Sequence, residues 1–296
     1  MTDSTAPGGT FAAEAFKIPE DTGKSTRIIA ACNKSGGSVK TTSVTALAAE
    51  AARLGLTVLV IDADDQRDAS HILGYDDPDA DENLLTLWDV VDGLGTLEEA
   101  IVPARMGEGG EPIPNLWLVP ASRELDNFDL NMAGAQAREQ WLLKHIKFVR
   151  GRFDVVFIDC PGDLKLIVTG VLLCTDEVMA CVKSQEKEIR ALTELESKIA
   201  SIRQDFNYLS SLPELRWIVV GEGVTDKGQG KVYQQAEDQL REAYGEMVLK
   251  PTVRRSVRVP GAYSAQIPLT LFAPKEDASL EYKQIAKGMG LFKQAA

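Results

Sequence analysis

Short apolar runs recur along the chain, each followed by a polar turn and then by helix-forming residues. The runs at 27–32, 56–61, 115–120, 153–158, 177–182 and 217–221 are short and rich in β-branched residues, which predicts buried strands. Between the first two, residues 42–54 form an Ala-rich helical stretch closed by Gly55. Helical periodicity also marks 84–102, 185–206 and 229–244, and a long helix is predicted across much of 129–150. Residues 106–114 read as a Gly/Pro-rich loop, and 285–296 as the last core helix with a frayed end. Strands alternating with helices imply an α/β fold, a mostly parallel twisted sheet with helices on both faces.

Residues 1–25 lack periodicity and are rich in Thr, Ser, Pro, Gly and charge, so they read as a flexible N-terminal arm before one domain spanning 26–296. The acidic stretch 76–83 is expected to be a solvated surface loop.

Composition narrows the function classes. With 44% hydrophobic and 26% charged residues among 296, the chain is an ordinary globular protein, and no apolar run approaches the ~20 residues of a membrane span. A net charge of −12 argues against a surface coated for nucleic acid, although local basic patches remain open. The four cysteines form no C-x-x-C pair and only His71 and His145 are present, so neither a disulfide framework nor a zinc site is suggested. A cytoplasmic location follows as the expectation.

Candidate chemistry begins at Asn33-Lys34-Ser35-Gly36-Gly37-Ser38-Val39-Lys40-Thr41-Thr42, between the first strand and the first helix. A phosphate chain needs a loop of inward-turned N–H groups, a lysine and a hydroxyl for Mg²⁺ at a helix N-terminus. Gly36 and Gly37 supply the loop, Lys40 the charge and Thr41 the hydroxyl. Against this, Val39 stands where the pattern G-x-x-x-x-G-K-S/T has glycine, so on this stretch alone a phosphate loop and an ordinary Gly/Ser turn are both open. The second strand ends in Asp62-Ala63-Asp64-Asp65-Gln66, and the strand at 153–158 delivers Asp159 before Cys160-Pro161-Gly162. Acids at the carboxyl ends of parallel strands are placed to organise Mg²⁺ and water.

Together these features resemble the ParA/MinD group of P-loop NTPases, the deviant Walker A ATPases, whose patterns are close to K-G-G-x-G-K-T-T, D-x-D-P-Q and Y-D-x-x-x-x-D-x-P-P. Residues 115–125 and 250–268 also resemble ParA segments. The resemblance implies a DNA-partition ATPase that dimerises on ATP, binds DNA non-specifically and is released when a ParB-type centromere-binding protein stimulates hydrolysis. It implies nucleotide contacts from Ser35 to Thr42, with Lys40 at the β/γ-phosphates, Thr41 and Asp159 on Mg²⁺, and Asp64 on the attacking water in the Mg²⁺ neighbourhood. Pro251 and Thr252 would lie near the adenine, and Arg254, Arg255 and Arg258 would form the DNA surface, although one or more of these arginines pairing with a carboxylate or lining the nucleotide pocket stays open. The departures are Ser35 at the signature lysine, with Lys34 one residue early as its stand-in, Asp65 and Gly162 in place of prolines, and Val39. Val39 predicts weakened nucleotide binding or a stalled cycle. That leaves a nucleotide-impaired DNA-binding or scaffolding homologue as the alternative, and a MinD-like membrane protein as a third reading that the glycine-interrupted tail disfavours.

Overall fold

The computed structural model describes residues 17–33, 39–223 and 230–293. Its frame is a seven-stranded sheet in the order β3-β4-β2-β5-β1-β6-β7. The strands are β1 (Arg27–Cys32), β2 (Val58–Asp62), β3 (Val102–Arg105), β4 (Pro112–Val119), β5 (Val155–Asp159), β6 (Glu177–Lys183) and β7 (Leu215–Gly221). All neighbours pair in parallel except β3, which runs antiparallel on the β4 edge. Pro103 is tolerated there because an edge strand has one side free of ladder bonds.

The helices are α1 (Val39–Arg53), α2 (Asp68–Ile72), α3 (Leu87–Asp92), α4 (Phe128–Asn131), α5 (Leu166–Leu172), α6 (Glu186–Asp205), α7 (Gly230–Tyr244), α8 (Val259–Ser264), α9 (Leu269–Phe272) and α10 (Asp277–Gly288). Strand side chains alternate between two cores. Ile28, Ala30, Leu59, Ile61, Val156 and Ile158 face one, with residues of α3 to α7 over them. Ile29, Ala31, Val58, Val60, Val155 and Phe157 face the other, covered by α1 and by the C-terminal helices. Nearly every side of α1 is buried, and its alanines let the helix lie close between the sheet and α10.

Two predicted helices are corrected. Over 84–102 only α3 is helical: Thr86 and Asp89 form a capping box at its start, and Gly93 ends it in the left-handed region at φ 82°. Leu97, Ala100 and Ile101 keep the apolar spacing as turns that reach the core, and Val102 opens β3. Across 129–150 the chain makes α4 and then two short 3-10 turns. Gly134 and the left-handed Ala137 interrupt the spiral there, while Trp141, Leu142, Ile146 and Val149 still bury their side chains. The predicted 106–114 loop is shorter, because β4 begins at Pro112. The last helix, with Ile285 buried in it and Leu291 buried beyond it, agrees with a core tail.

The acidic stretch 76–83 is more than a solvated loop. Asp77 and Asp79 pair with Arg67, Asp77 also with Arg123, and Asp76 accepts from His71. It therefore ties down the turn that leaves β2.

One helix contact is tight enough to test. Gly170 of α5 lies against the indole of Trp141, whose Nε1 donates to the Ile167 carbonyl, and a Cβ at Gly170 would overlap that ring. Gly170→Ala is expected to cost about 1–3 kcal/mol of stability through overpacking, read as a lower urea midpoint.

Candidate functional site

The sheet order makes the carboxyl end of β1 a switch point. From β1 the chain runs to β2 on one side, with β5 between them, while β6 and β7 extend the other side. Ligands of open α/β sheets bind outside the strand ends at such a crevice. Lys34, Ser35, Gly36, Gly37 and Ser38 lie outside the described residues.

Strand parity fixes the acids. Asp62 follows Val58 and Val60 on the α1 face, and Asp159 follows Val155 and Phe157 on the same face. The two stand opposite one another in the β2–β5 register. Thr41, in the first turn of α1, reaches down to them, and its Oγ1 donates to Asp159 Oδ2 at 2.7 Å. Asp159 Oδ1 is buried with no hydrogen-bond partner among the described residues. Asp62 is satisfied: its Oδ2 accepts from Ser70 N at 2.8 Å and Ser70 Oγ at 2.7 Å. Asp64 turns outward, its Oδ1 accepting from Gln66 N at 3.1 Å.

Burial dominates the electrostatics. It pushes Asp62 up to about 7 and Asp64 up to about 6. Asp159 rises well above the usual carboxylate range, through burial first and the charge of Asp62 second. Lys40, itself buried, pulls the other way on both Asp64 and Asp159. The arrangement thus gathers acids around one cation and one hydroxyl, with a buried carboxylate oxygen still to be satisfied. Among the described residues no group of three or more acidic, histidine or cysteine side chains forms a metal cage. A divalent ion that takes most of its ligands from phosphate and water needs none.

Beside this floor lies a cavity of about 420 Å³, lined by Val39, Thr42, Val253, Leu269, Ala278 and Tyr282 among others. Its far wall is the 253–257 segment, held to the end of β7 by Val253 N on Val220 O at 2.8 Å and Gly223 N on Val253 O at 2.9 Å. Pro251 and Thr252 lead into that wall. The Thr252 hydroxyl accepts from Arg241 and its methyl faces Gly223.

Val39 opens α1. Its side chain is 6% exposed and belongs to the α1-side core, lying over Gly221. The valine packs against the fold and also lines the cavity.

Residues 26–211 match the AAA domain family. The chain belongs to that family and is a ParA-type ATPase. The chromosome partitioning protein ParA of Caulobacter vibrioides is 28% identical over 263 residues, which are 88% of this chain and 92% of its own. Among solved structures, an ATP complex of McdA from Cyanothece superposes with a TM-score of 0.76 at 19% identity, covering 93% of this chain and 100% of the other. Cobyrinic acid a,c-diamide synthase from Mycobacterium smegmatis, with a bound ATP analog and magnesium, gives 0.72 at 22% identity, covering 88% and 93%. These likenesses show that the ParA-type chain has a P-loop NTPase fold.

The remaining site residues of the ParA-type chain divide. Arg254 is bound internally: its Nε donates to Glu281 Oε1 at 2.7 Å and its Nη1 pairs with Asp277. Arg255 and Arg258 are exposed. Several contributors carry no linear signal. Ser70 holds Asp62 from α2, and Asn33 Nδ2 donates to Cys181 O at 2.7 Å and to buried Glu188 Oε2 at 2.9 Å, anchoring the start of the loop. Ser70 reaches the site only through the tertiary fold, whereas Asn33 opens the candidate loop and only its bonds to Cys181 and Glu188 are hidden from the sequence.

Proposed function

We propose that this chain is a DNA-partition ATPase that binds Mg·ATP at the carboxyl end of β1, dimerises in the ATP state and then binds DNA non-specifically. Release would follow when a ParB-type centromere-binding protein stimulates hydrolysis. The observation that supports it best is the Thr41–Asp159 pair, a hydroxyl and a buried acid with one oxygen that has no partner among the described residues, next to a buried lysine. That donor set suits Mg²⁺ held through Thr41 and, by way of water, through Asp159.

Mg²⁺ would supply charge neutralisation to the phosphates. The chain's own residues do the rest. Lys40 attracts the β/γ-phosphate oxygens, and the N-terminus of α1 adds its dipole. Asp64, half-buried at the end of β2, accepts a hydrogen bond from water and orients it. The apolar cavity walls take the base, with Pro251 and Thr252 behind the 253–257 segment. Lys34, Ser35, Gly36, Gly37 and Ser38 would complete the phosphate loop, with Lys34 as the residue reaching the partner protomer.

Arg255 and Arg258 are the proposed DNA-binding residues, with Arg254 acting only to hold their segment. The test is a calorimetric titration with Mg·ATP, followed by DNA binding across a salt series. Saturable ATP binding with ATP-dependent DNA association is expected; no ATP binding would overturn the reading. For Arg255→Ala or Arg258→Ala, log K against log salt should flatten by about one unit for each arginine–phosphate ion pair removed. An unchanged slope would remove these arginines from the DNA surface.

A further inference from the structure

A Cβ built on Gly221 would lie 2.6 Å from Val39 Cγ1 and 3.4 Å from Cγ2. Val39 is the residue immediately before Lys40, and Gly221 is the last residue of β7. The bulk carried by the one occupies the space left by the other. A valine in a helix has little rotamer freedom with which to move aside, so neither residue accommodates a larger partner without a backbone shift.

The contact is also mechanical. Directly after Gly221 the chain turns sharply, with Glu222 in the left-handed region at φ 52° and its carboxylate paired to Lys183 at 2.9 Å. Gly223 then bonds to Val253, and Arg255 N donates to Gly223 O at 3.1 Å. A continuous path of packed and bonded groups therefore runs from the residue beside Lys40, through the end of β7, to the 253–257 wall of the cavity.

We infer that Val39 and Gly221 are a size-matched pair of positioning residues that sets the distance between Lys40 and the wall opposite it, and with it the width of the nucleotide cleft. The inference rests on the nucleotide reading of that cleft. It also reverses the expectation attached to Val39. The valine is fitted into the fold, and replacing it with the glycine of the usual pattern leaves a gap over Gly221 instead of repairing the loop.

Four proteins test this: the parent, Gly221→Ala, Val39→Gly, and the double variant Val39→Gly/Gly221→Ala. ATP affinity is measured with Mg²⁺ at a temperature well below every midpoint, and melting temperature is measured without nucleotide. Gly221→Ala should weaken ATP binding about tenfold, the effect of a shift costing a little over 1 kcal/mol. Val39→Gly should bind ATP no better than the parent and melt lower. The double variant should recover most of the affinity that Gly221→Ala forfeits, because the added Cβ then enters the space that valine vacated.

A double variant that binds and melts no better than Gly221→Ala overturns the pairing. So does a Gly221→Ala protein that melts lower yet keeps the parent's ATP affinity, which would make the contact structural only. Tighter ATP binding by Val39→Gly would also refute it. A parent chain that binds neither ATP nor ADP overturns the nucleotide reading and this inference with it, whereas a parent that binds and whose variants behave additively overturns this inference alone.

Discussion

Lys40→Ala is expected to weaken Mg·ATP binding by at least about a hundredfold, the loss that follows when a buried cation facing phosphate is removed. The reason lies in the charge around it as much as in the ligand. Lys40 is 7% exposed in the first turn of α1, and its charge opposes the upward shift of both Asp64 and Asp159. Without it, phosphate would approach three acids, Asp62, Asp64 and Asp159, that have lost the cation beside them. Lys40→Arg should not restore full affinity, since a planar fork cannot occupy the space of a compact ammonium. Calorimetry on the parent and both variants checks this. A Lys40→Ala protein whose affinity stays within threefold of the parent would place the phosphates elsewhere.

The parts of this site that were legible in the sequence are those with short-range causes. Apolar strands ending in acids fix where Asp62 and Asp159 emerge, because a period of two and a parallel register leave little choice once the strand is known. The stretch from Gly36 to Thr41 marks a candidate phosphate loop, and of it Thr41 is brought to Asp159. What was not legible depends on distant neighbours. The helix expected across 129–150 fails because the apolar residues of that stretch are buried equally well from turns, and helical spacing does not distinguish the two. The contact of Val39 with Gly221 is not legible either, because the pattern describes only the loop and Gly221 is far away in sequence. In sequence Arg254 is one of a basic cluster, and which of its arginines meets a carboxylate depends on Asp277 and Glu281 of the last helix.

Asp159→Asn should separate function from stability in opposite directions. Asp159 is fully buried, faces Asp62 in the adjoining strand, and has one carboxylate oxygen without a hydrogen-bond partner among the described residues. An acid in that position is a cost to the nucleotide-free fold, because its charge is desolvated and meets a like charge. Asparagine has the same shape, keeps an acceptor for the Thr41 hydroxyl and carries no charge. The nucleotide-free variant is therefore expected to melt at the parent's temperature or a few degrees above it, as a gain of about 1 kcal/mol would give. The same change removes the negative charge that Mg²⁺ requires of its surroundings, so ATP turnover should fall about 10²–10³-fold. The extra melting temperature that Mg²⁺ adds to nucleotide alone should vanish. Thermal scans with nucleotide, with and without Mg²⁺, read both effects in one experiment. A variant that melts lower than the parent and still shows the full Mg²⁺-dependent shift would mean that Asp159 serves the fold through Thr41 and takes no part in holding the metal.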